Sequence, residues 1–160
     1  MLLALGILQR AAALVTSRRV EVVGMSMYPT LAPGEYVLCD RFAYRRHAPR
    51  RGDVVLARGL AGGGETVVKR VAAVPGDRVE LDDGVLVVNG VAARESALSE
   101  ACGSWSLGED EWFLLGDAME FSTDSRKFGP VPRRAIEARA WLVCWPLARW
   151  RRLDGEGRDD

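Results

Sequence analysis

A chain of 160 residues supports one domain with a sizeable core. Its 22 basic and 22 acidic residues cancel, which excludes the strong positive field of a nucleic-acid-binding surface. One histidine and three widely spaced cysteines make neither a disulfide framework nor a zinc pattern, so no metal or other cofactor is implied.

Residues 1–16 are apolar and predict a short N-terminal helix. Spanning a bilayer takes about 20 uninterrupted apolar residues, and Gln9 and Arg10 break this run. No basic residue precedes it, as one would in a secretory signal. The helix either packs on the domain or serves as a membrane-interface anchor, with Arg10, Arg18 and Arg19 near the headgroups.

From Val20 the pattern turns to strands. Residues 20–23 form a short one, followed by a stiff connection through Pro29 and Pro33-Gly34. Residues 35–41 alternate as a half-buried strand. The loop Arg45-Arg46-His47-Ala48-Pro49-Arg50-Arg51 is basic, and its histidine is expected to face solvent. Strands over 54–57 and 66–74 flank a glycine-rich loop, and Pro75-Gly76-Asp77 closes the second. Residues 79–81 and 85–88 read as a hairpin through Asp82-Asp83-Gly84. Residues 92–110 look irregular, 111–115 a strand, 116–132 a long loop, 133–138 one helical turn and 139–144 a final strand. Residues 149–160 read as a charged, frayed tail. Cys39 and Cys144 lie in apolar runs as small core residues, and Cys102 is the one expected to be exposed. Many short strands between glycine and proline turns predict a mainly β, antiparallel, barrel-like fold.

Two stretches carry chemistry. In Gly24-Met25-Ser26-Met27-Tyr28-Pro29-Thr30-Leu31 a hydroxyl sits between methionines ahead of a proline-stiffened turn. In Val67-Val68-Lys69-Arg70-Val71 a cation sits inside an apolar run. The chain has only two lysines, Lys69 and Lys127, against twenty arginines. A lysine among valines therefore suggests an amine that must lose its proton, which arginine cannot do. On a strand Lys69 shares a face with Val67 and Val71, while Arg70 points the other way. Burial would lower the amine's pKa into a range useful to a base. Ser26 as nucleophile and Lys69 as general base is one reading. A surface-turn serine beside a snorkelling lysine is the other. The loop from Gly116 through Asp117, Ser122, Asp124, Ser125 and Arg126 is rich in hydrogen-bonding groups. It offers both a buried ion pair and a hydroxyl that could orient the amine.

Four of these stretches occur in the order and spacing of the type I signal peptidases. They are residues 24–31, Arg51-Gly52-Asp53-Val54-Val55, Val68-Lys69-Arg70-Val71 with Pro75-Gly76-Asp77, and Gly116-Asp117 with Ser122-x-Asp124-Ser125-Arg126-x-x-Gly129-x-Val131-Pro132. The chain resembles that family over most of residues 20–145. The resemblance implies a β-rich peptidase fold over residues 17–150, after the helix of 1–16 and before the tail of 151–160. It implies Ser26 as nucleophile and Lys69 as general base. Ser122 matches the hydroxyl that orients the amine, and Asp124 with Arg126 the pair that stabilises the site loop, Asp117 supporting. The Ser26 backbone N–H matches the oxyanion donor. The expected substrate groove is lined by Met25, Met27, Pro29, Val67 and Val68, and accepts an extended peptide with small residues one and three before the cut.

The implied substrate is a signal peptide on a precursor protein, handled at a membrane surface with no nucleic acid partner. The implied location is the outer face of the cytoplasmic membrane; the alternative is a soluble cytoplasmic peptidase. Gly24 stands where some members carry a serine donor, Ala118 where asparagine is usual, and little sequence separates Asn89 from Glu111. The compact form resembles branches that process one dedicated precursor, such as the maturation peptidase of nickel superoxide dismutase. A repressor-like self-cleaving peptidase would need a DNA-binding domain, for which there is no room before Val20. A β-barrel binding module would keep the fold without the chemistry.

Overall fold

The computed structural model describes residues 17–45, 47–60, 63–95 and 102–153. The expected N-terminal helix of residues 1–16 lies outside them. Twelve strands are present among the described residues: β1 (Ser17–Glu21), β2 (Tyr36–Asp40), β3 (Val54–Arg58), β4 (Thr66–Ala73), β5 (Arg78–Asp82), β6 (Val85–Val88), β7 (Val91–Glu95), β8 (Gly103–Ser106), β9 (Glu111–Leu115), β10 (Val131–Pro132), β11 (Ile136–Trp145) and β12 (Arg151–Arg152). One four-residue helix, α1 (Ser125–Phe128), lies between β9 and β10. The fold is mainly β and antiparallel, as expected.

The larger sheet runs β1-β2-β11-β3-β4-β9-β10, with β12 paired to β11. Its centre is covered on both faces, which explains why β3 reads as an unbroken apolar run. Val54 and Leu56 point into one cluster with Val37, Cys39, Ala140 and Val143. Val55 and Ala57 point into the other, with Val71, Trp112, Leu114 and Ile136. Register shifts in β11 between Ala140 and Leu142 and between Ile136 and Ala138 let ten residues serve both β2 and β3 while the sheet curls.

The smaller sheet has the order β7-β6-β5-β8. Its inner residues Val79, Leu81, Leu86 and Val88 pack on Ala73, Phe113 and Leu115 of the paired strands β4 and β9. Burial of a side chain such as Phe113 contributes about 1.5–3 kcal/mol. Asp83 (φ 45°) and Gly84 (φ 80°) supply the left-handed pair that the β5–β6 hairpin needs.

Several expected boundaries move. The first strand is residues 17–21, set by pairing of Val20 with Val37, and leaves Val22 and Val23 to the following loop. Residues 92–110 are not simply irregular: β7 and β8 flank the β5–β6 hairpin, because cross-strand pairing outweighs the polar, small-residue composition. The helical turn after β10 covers only Arg133–Ala135, and β11 starts at Ile136. The chain from Arg149 onward is not frayed through residue 153: β12 pairs with Leu142 and Val143, and Leu153 is buried in the first core cluster. Cys39 is buried and Cys102 exposed, as expected, but Cys144 is only half-buried, because its neighbour Val143 takes the core-facing position in β11.

Candidate active site

The loop between β1 and β2 is held at its base by paired backbone bonds, Val22 N–H to Glu35 C=O at 2.8 Å and Gly34 N–H to Val22 C=O at 2.9 Å. Met27 and Leu31 turn inward and anchor it in the core, 2% and 0% exposed. Ser26 lies between exposed Met25 and buried Met27, half-buried at the loop surface. Its carbonyl accepts the Ala118 N–H at 3.0 Å, which ties this loop to the one after β9. Ala118 thus contributes through its backbone, independently of the side chain it lacks.

Lys69 sits in β4 opposite Val55 and is 3% exposed. Its Nζ donates to Ser122 Oγ at 2.9 Å. Burial pushes the amine below its ordinary pKa; the Asp124 carboxylate pulls it upward, and the Arg126 guanidinium pushes it down again. Lys127, by contrast, is exposed.

Asp124 is fully buried and spends its charge locally. Its carboxylate takes Arg126 Nε at 2.8 Å and Nη2 at 2.9 Å, the Gly116 N–H at 3.0 Å, and caps α1 by accepting the Arg126 N–H at 3.3 Å. Arg126 also reaches the carbonyls of Met119 and Ser122, at 2.7 and 3.3 Å, and Ser125 Oγ accepts the Leu114 N–H at 2.9 Å. A buried ion pair is tolerable only with such additional bonds. The pair fixes the loop around Ser122.

Among the sequence-predicted groove residues, Met25 and Pro29 are exposed, and Val67 and Val68 are half-buried on opposite faces of β4. Met27 does not belong to a groove: its apolar side chain is used to anchor the loop in the core. Asp117 does not join the Asp124–Arg126 pair. It binds Arg70 in a two-pronged contact, Nε to Oδ1 at 2.8 Å and Nη2 to Oδ2 at 2.7 Å, and Arg70 also donates to the Gly52 carbonyl at 2.9 Å and Thr30 Oγ1 at 3.3 Å. This second buried pair escaped the sequence reading, although an arginine inside the valine-rich strand beside Lys69 was its signal. Among the described residues no cluster of side chains is suited to a metal ion.

The family model for signal peptidase, peptidase S26, matches residues 1–145. A probable signal peptidase I-2 of Synechocystis is 30% identical over 133 residues, covering 78% of this chain and 61% of that protein. The signal peptidase I of Leptolyngbya laminosa is 30% identical over 135 residues, covering 78% and 66%. A mitochondrial ATP-independent inner membrane protease subunit 1b of Arabidopsis thaliana is 36% identical over 125 residues, covering 78% and 68%. The chain therefore spans between three fifths and about two thirds of the length of these relatives.

Proposed function

The chain belongs to the signal peptidase family, peptidase S26, and on that premise we propose that it is a serine endopeptidase that removes signal peptides from secretory precursors. In this reading Ser26 is the nucleophile and Lys69 the general base. The observation that supports it most is the Lys69 amine, buried, depressed in pKa and hydrogen-bonded to the neutral Ser122 hydroxyl rather than to a carboxylate. Lowering the amine's pKa makes its neutral, proton-accepting form easier to reach.

The neutral amine takes the Ser26 hydroxyl proton as Oγ attacks the scissile carbonyl, and the Ser26 backbone N–H stabilises the oxyanion. Collapse expels the new N-terminal amine, which takes the proton back from the Lys69 ammonium and leaves an acyl-enzyme. Water then hydrolyses the ester, with Lys69 again accepting and returning a proton. Ser122 orients the amine, and the Asp124–Arg126 pair keeps Ser122 in place.

Substrate placement follows from β4. Among the described residues β9 pairs with β4 only at Arg70, Val71 and Ala73, so the outer edge of residues 66–69 has no strand partner. An extended peptide can add there beside Lys69. The half-buried Val67 and Val68 with Met25 favour small apolar side chains and disfavour charged ones near the cut.

Contact with a membrane surface belongs to the same proposal. None of the described helices is long and apolar enough to cross a membrane. Val23, Met25, Tyr28 and Phe121 nevertheless expose large apolar side chains on the two loops joined by the Ser26–Ala118 bond, and Trp145, Leu147 and Trp150 do so near the C-terminal end of the fold. Such residues suit a headgroup interface.

The direct test incubates the purified protein with total secretory precursors and identifies new N-termini, beside a Ser26→Ala control. Many cleaved precursors with small residues before the cut are the expected result. Cleavage of one precursor alone selects the dedicated maturation peptidase, and cleavage by both proteins or neither rejects the reading.

A further inference from the structure

Beyond the residues placed around Lys69, the chain from Trp145 to Leu153 forms a hook that returns to the loop bearing Ser26. After β11 it turns through Leu147–Arg149, pairs β12 back onto Leu142 and Val143, and seats Leu153 in the core, with the Leu153 N–H on the Trp141 carbonyl at 2.9 Å. Two arginines of the hook meet one acid. Glu35, 2% exposed, takes Arg149 Nε at 2.9 Å and Arg151 Nη1 and Nη2 at 3.0 and 3.1 Å. The same carboxylate accepts the Ala32 N–H at 2.8 Å.

Arg151 does more than neutralise Glu35. Its Nη2 also donates to the carbonyl of Thr30, four residues after Ser26. The Thr30 hydroxyl in turn accepts from Arg70, the neighbour of Lys69. The Ser26 loop is thus fixed from two sides: Ala118 holds the Ser26 carbonyl, and the hook holds Thr30 and Glu35. A planar guanidinium suits this task because it can serve a carboxylate and a carbonyl at once, which a lysine ammonium on a flexible stem does poorly.

We propose that Glu35 and Arg151 are positioning residues for the peptidase reaction, acting through Thr30 and the loop backbone to hold Ser26 at its working distance from Lys69. This rests on the reading of Ser26 and Lys69 as nucleophile and base. The hook contributes to kcat more than to substrate affinity, because the edge that takes the peptide backbone lies in β4 and only Met25 of the Ser26 loop meets the substrate's side chains. Displacement of a reacting group by an ångström is enough to cost about a hundredfold in rate.

The test compares wild type, Arg151→Ala, Arg151→Lys, Glu35→Gln and Ser26→Ala in the full chain. For each, kcat and KM are measured on a precursor peptide, and hydrogen exchange is followed by mass spectrometry. The expected result is a fall in kcat of about tenfold to a hundredfold for Arg151→Ala with KM changed less than about threefold, and a smaller fall for Arg151→Lys. Exchange should rise in peptides covering residues 24–35 and stay unchanged in β3 and β4. Wild-type kcat in both Arg151 variants, or faster exchange spread equally over all strands, overturns the proposal. If Arg151→Ala does not fold, Arg151→Lys with Glu35→Gln carries the same comparison. Inactive wild type, or cleavage by Ser26→Ala, instead rejects the underlying peptidase assignment, while the exchange data still report on the hook.

Discussion

Gly116 lies against Ser122 so closely that a Cβ on the glycine would come within 2.3 Å of the Ser122 Oγ. The same Cβ would stand 2.5 Å from the Ser26 carbonyl oxygen. Real Cβ atoms do not approach backbone oxygen so closely, so a methyl there must push apart the Ser26 loop and the hydroxyl that Lys69 holds. Gly116→Ala is expected to reduce kcat/KM by about a hundredfold or more and to destabilise the fold by about 1–3 kcal/mol. Peptide cleavage and denaturant unfolding of the purified variant check both figures.

Lys69→Arg is expected to be as inactive as Lys69→Ala and Ser26→Ala, since guanidinium does not deprotonate at working pH. Ser122→Ala keeps the amine and removes its hydrogen-bond partner, so a partial loss of about tenfold to a hundredfold is expected. Single-turnover cleavage rates separate these cases; near-full activity of Lys69→Arg would end the general-base assignment.

The Lys69 pKa is depressed chiefly by burial. In the proposed mechanism the neutral amine is the base, so the rate should rise with pH through that depressed value and not require a divalent metal. The Arg126 charge helps to depress it. Arg126→Gln should therefore move the rising limb to higher pH, measurable in the kcat profile of any variant that remains folded.

Glu35 and Asp77 are both held below the ordinary carboxylate range. Burial opposes ionisation at each, but donors outweigh it: Arg151, the Ala32 N–H and Arg149 at Glu35, and Arg51, the Val74 N–H and Asn89 at Asp77. A carboxyl whose folded pKa lies below its unfolded one adds stability that is complete above the unfolded value of about 4 and disappears as pH falls through the folded one. Thermal midpoints should be level near neutrality and drop in acid. Glu35→Gln and Asp77→Asn should each flatten that drop.

Liposome flotation is expected to bring the full chain up with anionic vesicles, and Trp145→Ser with Trp150→Ser to weaken the association. The two tryptophans are 52% and 57% exposed, so their loss should leave the core intact. Retention in the soluble fraction at low and moderate salt, on anionic and neutral lipid alike, would remove the membrane from the proposal.

The sequence made the strand character of β3, β4 and β9 legible because apolar runs bounded by glycine and proline have few other outcomes. The Asp124–Arg126 contact could also be anticipated, since the two residues lie two apart in one loop. Long-range pairings could not. Arg70 with Asp117 and Arg151 with Glu35 join residues 47 and 116 positions apart, and local pattern says nothing about which acid a given arginine will meet. Met27 looked like a groove residue because methionine suits adaptable surfaces, whereas the loop needed an inward anchor and used it there. The strands β7 and β8 were hidden by alanine, serine and glycine, whose pairing is decided by their neighbours in the sheet.

The near-absence of lysine has a practical consequence for spectroscopy. With Lys127 exposed and Lys69 buried, the whole chain carries two ε-amines in sharply different surroundings. Isotopic labelling through lysine alone would yield two side-chain resonances, one following solvent and the other reporting from the interior of β4. The protonation of Lys69 is therefore open to direct observation in the unmutated protein, with Lys127 as a reference in the same spectrum.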